Sequence, residues 1–290
     1  MIKILILGSS GLLGRKIYET LLFNKKIKVV HTGLKKRKIN FKNKAFLKKF
    51  INSVKPNIII NCIAYKNIDS CEQNSYVSKD INYNIIKEIF KIKKQNKLKF
   101  NFIHFSTDQF YNKAGYKCSA ERSRIFLINN YCKHKRKAEV LCLKNKSLIF
   151  RTNFFGRSKA KKNISYSDWI YDKFKQNKGL YLFNDVYFNP LRLQTIANII
   201  RYLIEKRYYT SWGIYNLGAI NGIFKNEFAL LFAKKTKVLN SNYVNIGVNK
   251  LLKTKRSTNM FMNTKKFEKK FKFRLPKIRD EILSEAKNYF

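Results

Sequence analysis

The sequence predicts an α/β fold built on a doubly wound parallel sheet, and three observations predict it. Short apolar runs of roughly five to seven residues alternate with amphipathic segments of about 12 or more, the rhythm of strand–helix–strand units. The runs are apolar almost throughout rather than every second residue, as in strands covered on both faces. The first run ends in GSSGLLG, residues 8–14, glycines spaced for a tight strand-to-helix turn.

In order, IKILIL at 2–7 reads as the first strand, and a helical pattern follows from 12 to 23. IKVV at 27–30 is a second strand, and 41–54 is amphipathic. Pro56-Asn57 leads into IIINCIA at 58–64, a fully apolar strand. A long helix is expected over 77–94, a buried strand FNFIHFS at 100–106, a helix over 131–144 and a strand SLIFRT at 147–152. Beyond Arg151 the rhythm loosens, with helices expected over 168–176, 193–206 and 225–235. LYLF at 180–183 and residues 212–217 read as strands, Asn221-Gly222 as a turn, and 277–288 as a last helix. This pattern divides into a nucleotide-binding domain over 1–152 and a smaller C-terminal α/β substrate lobe over 153–290, with some segments of the latter returning to the first domain.

Composition narrows the classes. A chain of 290 residues with 45% hydrophobic content can bury a core. No apolar run approaches the roughly 20 residues that span a bilayer, and the N-terminal run is too short for a secretory signal, so a cytoplasmic protein is expected. Five cysteines without C-x-x-C spacing and three scattered histidines argue against zinc, and no metal site is expected. The net charge of +45 invites a nucleic-acid reading. The cations are dispersed, however, and Lys, Asn and Ile are enriched together, as an AT-rich genome would produce. No specific nucleic-acid partner and no membrane partner is expected, although such a field attracts anionic substrates.

The glycine turn carries the first chemistry. Gly8 permits the tight turn, Gly11 lets the backbone approach a diphosphate, and Gly14 lets helix and strand pack closely, with the helix N-terminus aimed at the phosphates. An acidic residue about 20 positions on would bind an NAD ribose. None occurs between Glu19 and Asp69, and Lys35, Lys36, Arg37 and Lys38 stand there instead. A 2′-phosphate suits this arrangement, which favours NADPH while leaving NADH compatible.

Tyr131 and Lys135, in NNYCKHKRKAE at 129–139, share a helix face. Spacing alone does not single them out. Tyr83/Lys87, Tyr171/Lys175 and Tyr202/Lys206 have it too, in a chain with 17 tyrosines and 62 Lys+Arg.

The order of the remaining motifs does single them out. GSSGLLG at 8–14, PNIIINCIAY at 56–65, INYNIIKE at 81–88, FIHFSTDQFY at 102–111, NNYCKHKRKAE, RTNFFG at 151–156, DVYFNPL at 185–191, GIYNLG at 213–218 and the tail from 259 to 282 run collinearly. In this the chain resembles the extended short-chain dehydrogenase/reductases, and among them the dTDP-4-dehydrorhamnose reductase-like (RmlD-like) sugar-nucleotide proteins. The resemblance implies a Rossmann domain and an NADPH-dependent reductase of a nucleotide-diphospho-4-keto-6-deoxy-sugar. Tyr131 would be the proton donor, Lys135 the cation that lowers its pKa, and Thr107 the hydroxyl that holds the carbonyl. It further implies cofactor contacts from Gly8, Ser10, Gly11, Leu12, Leu13, Gly14, Arg37, Cys62, Ala64, Tyr65 and Ser106, as well as Tyr131 and Lys135. Substrate contacts would come from Thr107, Asp108 and Tyr131. Arg151, Thr152 and Asn153 either face the sugar nucleotide or pack the strand end.

Three departures from the family pattern concern substrate identity. Gln109 replaces a frequent aromatic, Cys132 and His134 replace a common glycine and serine, and RTNFFG is one residue short. An epimerase or dehydratase with bound NAD stays open, as does a non-catalytic regulatory subunit. Gln109 counts against dehydration, because an amide cannot transfer the proton an Asp-Glu pair would. A homodimer is compatible with the sequence.

Overall fold

The structure, a computed structural model, describes residues 1–32, 43–159 and 164–290. In chain order it comprises β1 (Ile2–Leu7), α1 (Leu12–Leu21), β2 (Ile27–His31), α2 (Lys44–Val54), β3 (Ile58–Asn61), α3 (Ile68–Gln73), α4 (Ser75–Lys79), a π-helical turn (Asp80–Asn84), α5 (Ile85–Gln95), β4 (Asn101–Phe105), α6 (Asn130–Lys144) and β5 (Leu148–Thr152). There follow β6 (Phe154–Phe155), α7 (Tyr166–Lys175), β7 (Leu180–Phe183), β8 (Tyr187–Phe188), β9 (Leu191–Arg192), α8 (Leu193–Glu205), β10 (Gly213–Leu217), β11 (Ile223–Phe224), α9 (Lys225–Lys235), β12 (Tyr243–Ile246), α10 (Val248–Leu251), α11 (Lys265–Phe271) and α12 (Ile278–Ala286).

The main sheet has the order β10-β5-β4-β3-β1-β2. The pairs β1–β2, β1–β3, β3–β4 and β4–β5 are parallel. The winding reverses between β1 and β3, which makes the carboxyl ends of those strands the expected ligand crevice of a doubly wound sheet. Apolar runs without alternation do what the sequence requires of them. Leu5, Leu7, Ile59, Phe102 and Ile149 pack on one face with Ile51 of α2, Ile89 of α5 and Ala138 of α6. Ile4, Ile6, Ile58, Ile60 and Ile103 are equally buried on the other. Ile17 of α1 and Ile196, Ile199 and Ile200 of α8 are buried as well. Each such side chain contributes about 1.5–3 kcal/mol of burial.

The chain separates into two compact units. One comprises Met1–Ser106, Asn129–Phe150 and Ile196–Ile214, and the other Thr107–Ile128, Arg151–Thr195 and Tyr215–Phe290. In the second unit β7 and β12 pair in parallel, β8 and β11 antiparallel, and β6 and β9 in parallel. Its core is aromatic, with Phe155, Phe174, Phe228 and Phe232 all buried. Buried Glu281 of α12 fixes the start of α8, accepting hydrogen bonds from the Arg192 N–H at 2.7 Å and the Thr195 hydroxyl at 2.8 Å. Among the described residues no helix is long and apolar enough to cross a membrane.

Helix ends are built in an uncommon way. The chain has only 11 glycines, and the left-handed residue that closes a helix is supplied instead by Lys55 (φ 44°), Lys97 (φ 48°), Lys146 (φ 48°), Asn177 (φ 48°), Lys237 (φ 58°) and Lys272 (φ 52°). After α5 the Leu98 N–H reaches the Lys93 carbonyl at 3.0 Å, the bond pattern that glycine usually allows. Lysine pays a Cβ clash there. Lys97→Gly is therefore expected to stabilise the protein by about 0.5–1 kcal/mol, read as a higher midpoint in urea unfolding.

The helix expected over 77–94 runs unbroken through α4, the π turn and α5, and the π turn within it, which was not expected, carries the buried Asn82. α3 and α11 were not expected. Each is short, and α11 (KKFEKKF) buries only Phe267 and Phe271 in a charged run.

Candidate active site

The turn after β1 shows why its glycines are glycines. Gly8 has φ +79°, and a Cβ on it would lie 3.0 Å from the Cys62 carbonyl carbon and the Ile63 nitrogen. A Cβ on Gly14 would lie 2.4 Å from the Gly8 carbonyl oxygen. The Gly11 N–H closes the turn on that same oxygen at 3.0 Å. Thr32, just beyond β2, anchors the turn from the side. Its hydroxyl accepts from the Gly8 N–H at 3.1 Å and donates to the Ile6 carbonyl at 3.2 Å, and its own N–H donates to the Ser9 hydroxyl at 3.1 Å. Leu13 is buried, Ser10 is exposed, and Leu12 is half-buried at the start of α1. Arg37, with its neighbouring lysines, lies outside the described residues.

At the carboxyl end of β3, Cys62 and Tyr65 are half-buried and Ala64 is exposed. Asn82 clamps the Tyr65 peptide from both sides, accepting its N–H at 3.0 Å and donating to its carbonyl at 3.1 Å. The same amide nitrogen reaches the Ser78 hydroxyl at 3.3 Å, which in turn bonds His134 Nδ1 at 2.9 Å. A polar chain thus ties the end of β3 to α6, one residue before Lys135. Thr32, Asn82 and Ser78 were not singled out by sequence reasoning. Asn82 lies within the INYNIIKE motif, so a buried polar residue in an otherwise amphipathic helix was the available signal.

α6 begins on a good cap, the Asn129 side chain accepting from the Cys132 N–H at 2.9 Å. The Asn130 N–H and amide both bond Glu72 of α3. Tyr131 is half-buried on the first turn. Lys135, one turn on, is 2% exposed, and its ammonium donates to the Phe105 carbonyl at the end of β4 at 2.5 Å. Burial lowers its pKa to about 8, with Cys142, Glu139 and Cys62 opposing that shift. Desolvation lifts the Cys62 thiol well above its usual range. His104 is held neutral by burial and by Lys135. Asn61 Oδ1 takes the Ile63 N–H at 3.1 Å, so Asn61 Nδ2 donates to His104 Nδ1 at 3.2 Å and the ring proton sits on Nε2. Ser106 is buried, its N–H pairs with the Phe150 carbonyl at 2.7 Å, and its hydroxyl has no partner among the described residues. Gly8–Gly14, Cys62–Tyr65, Ser106, Tyr131 and Lys135 all belong to the first unit.

Thr107, Asp108 and Arg151–Asn153 belong to the second unit. The Thr107 hydroxyl accepts from the Gln109 N–H at 3.2 Å. Asn153 Oδ1 is committed to the Phe154 N–H at 2.8 Å, which turns its Nδ2 toward Asp108 Oδ2 at 2.9 Å. Asp108 is 2% exposed, and burial raises its pKa to about 6 against the pull of Asn153 and Lys225. Thr152 is buried, its hydroxyl 3.4 Å from the Asn153 carbonyl. Arg151 is 1% exposed and donates to the Tyr111 hydroxyl at 2.6 Å and the Glu121 carbonyl at 3.1 Å. Among the described residues no group of three or more His, Cys, Asp or Glu could hold a metal ion.

The raised pKa of Asp108 has a stability consequence. Between about pH 4 and pH 6 the folded chain holds a proton on this carboxyl that the unfolded chain has lost, so stability falls as pH rises through that window. Asp108→Asn removes this loss and retains an acceptor for Asn153. It is expected to match wild type near pH 4 and to exceed it above pH 6 by on the order of 2 kcal/mol, read from urea unfolding across that range.

Comparison with known proteins agrees with the fold. The model of the RmlD substrate binding domain family matches residues 2–289. The dTDP-4-dehydrorhamnose reductase of Aggregatibacter actinomycetemcomitans is 31% identical over 159 residues, 53% of this chain and 52% of that one, so the chain spans about half the length of this relative. The dTDP-4-dehydrorhamnose reductase of Salmonella typhimurium is 23% identical over 286 residues, 94% of this chain and 93% of that one. The crystal structure of dTDP-4-dehydrorhamnose reductase from Bacillus anthracis, in complex with NADP, superposes with a TM-score of 0.87 at 17% identity, covering 99% of this chain and 100% of that one. The last is a likeness of fold. The family match runs nearly end to end, and the chain belongs to the RmlD substrate binding domain family.

Proposed function

We propose that this chain is an NADPH-dependent reductase of a nucleotide-diphospho-4-keto-6-deoxy-sugar. The observation that carries the reading is the pairing on α6. Tyr131 has a lysine one turn away whose ammonium is drawn to the end of β4 and buried. A phenol near a fixed cation is a stronger acid than one in water. With its pKa lowered to about 8, Lys135 is still largely an ammonium at neutral pH. Tyr131 donates the proton that turns the carbonyl oxygen into a hydroxyl, and Lys135 stabilises the phenolate left behind. Thr107 and Ser106, consecutive after β4, supply hydroxyls for that oxygen, and the Ser106 hydroxyl has no partner among the described residues.

The turn over Gly8–Gly14 fits a dinucleotide. Its backbone comes close enough that a side chain at Gly8 or Gly14 would collide with it, and Gly11 opens α1. Gly8, Ser10, Gly11, Leu12, Leu13 and Gly14 would hold the diphosphate, with Cys62, Ala64 and Tyr65 along the crevice. When bound, the reduced nicotinamide supplies the hydride. The absence of an acidic residue between Glu19 and Asp69 favours the 2′-phosphorylated cofactor.

The test is purified protein with NADPH and a panel of nucleotide 4-keto-6-deoxy-sugars, followed by loss of reduced-cofactor absorbance. Stoichiometric NADPH consumption with one of them is expected. Interconversion of sugar epimers without net NADPH consumption would assign the chain to the epimerases instead.

A further inference from the structure

Lys225, the first residue of α9, was not among the residues the sequence singled out. Its ammonium lies over three rings, 5.4 Å from the centre of Tyr166, 5.9 Å from Phe183 and 5.7 Å from Phe188. Rings attract a cation but accept no ordinary hydrogen bond, and an ammonium carries three donors. Among the described residues no carboxylate lies within ion-pair distance of Lys225 Nζ, and none of its donors meets an oxygen. The carboxylates that act on it do so from further off and are already engaged. Asp108 takes the Asn153 amide at 2.9 Å, and Asp185 takes the Val248 N–H at 2.9 Å. A second cation, Arg256, adds repulsion, and burial disfavours the charged form. A leucine or methionine would fill the same aromatic box without leaving donors unmet, a cost of the kind proteins avoid. The side chain is only half-buried, so a ligand can reach it.

We infer that Lys225 is a substrate-binding residue whose ammonium receives the diphosphate of the sugar nucleotide. This rests on the reductase reading above. In such a substrate the keto-deoxy-sugar and the base are neutral, so the diphosphate is the one group that calls for a cation. Lys225 belongs to the same unit as Thr107 and Asp108, whereas the glycine turn suited to the cofactor's diphosphate belongs to the other. Charge-assisted hydrogen bonds of this kind carry about ten- to hundredfold in affinity.

The experiment is calorimetric titration of the full chain, as wild type, Lys225→Met and Lys225→Arg, with inorganic pyrophosphate, thymidine diphosphate, uridine diphosphate and NADPH. Methionine keeps the length of the side chain within the ring box, and Lys225→Gln serves if the methionine variant does not fold. Pyrophosphate and at least one nucleoside diphosphate are expected to bind wild type and to weaken tenfold or more in Lys225→Met. Arginine should restore most of the loss, and NADPH affinity should not change. In turnover KM rises about tenfold with kcat within about twofold. Undiminished pyrophosphate and nucleotide affinity in the methionine variant would overturn the assignment, as would absence of binding to wild type or a matching loss of NADPH affinity. Pyrophosphate binding that depends on Lys225 in a protein that reduces no keto-sugar nucleotide would leave this site standing and remove the reductase reading.

Discussion

Tyr131→Phe is expected to keep the fold and to lower kcat for keto-sugar reduction by about 10²–10⁴-fold, the range that general acid catalysis supplies. The ring stays and only the acidic proton goes. The pH dependence of wild type should report the neighbour. Burial lowers the Lys135 pKa to about 8, so the ammonium that the proposed mechanism calls for is present below that pH and is lost above it. Wild-type kcat should be level around neutrality and fall on the alkaline side of about pH 8, in stopped-flow measurements with NADPH in excess. Turnover close to wild type in the phenylalanine variant would remove Tyr131 as the acid.

Gly14→Ala is expected to cost about 1–3 kcal/mol, as overpacked sites do, and to weaken NADPH by tenfold or more. The added carbon would sit 2.4 Å from the Gly8 carbonyl oxygen, 2.9 Å from its carbon and 3.0 Å from Ser9 Cα. All three are backbone atoms, so the clash can be relieved only by moving the turn itself. Moving it strains the bonds from Gly11 to Gly8 and from Thr32 to Ser9. Gly115→Ala is the control. Gly115 also has positive φ (65°), but an added Cβ there meets nothing within 4 Å. It should cost only about 1–2 kcal/mol of backbone strain and leave NADPH affinity intact. Thermal unfolding and fluorescence titration of the cofactor separate the two variants.

Much of the fold was legible because burial on both faces leaves a plain mark. ILIL at 4–7 and III at 58–60 are unbroken apolar runs, and each lies in a central strand. The glycine turn was legible because close backbone approach admits one residue type. Helix ends were harder to read, since lysines occupy the left-handed positions where glycine would have announced a stop. The π turn inside the helix expected over 77–94 was hidden for a different reason. It carries Asn82, whose partner, the peptide of Tyr65, lies 17 residues away in sequence. Tyr131 and Lys135 could be named only from the order of surrounding motifs, because their spacing recurs elsewhere in the chain. Lys225 left no trace, being one lysine among many. Only the three rings around its ammonium distinguish it, and they come from α7, β7 and β8.

The interleaving of the two units bears on how the chain is made. The first unit draws its last piece from Ile196–Ile214, and α8 within it buries Ile199, Ile200 and Leu203 completely. A nascent chain emerging from the ribosome therefore cannot complete this unit until about three-quarters of the chain has been synthesised. A fragment cut near residue 152 would leave out α8, whose buried Ile199, Ile200 and Leu203 belong to the first unit. Such a fragment should aggregate rather than fold, and expression of either half in isolation is a poor route to a working domain.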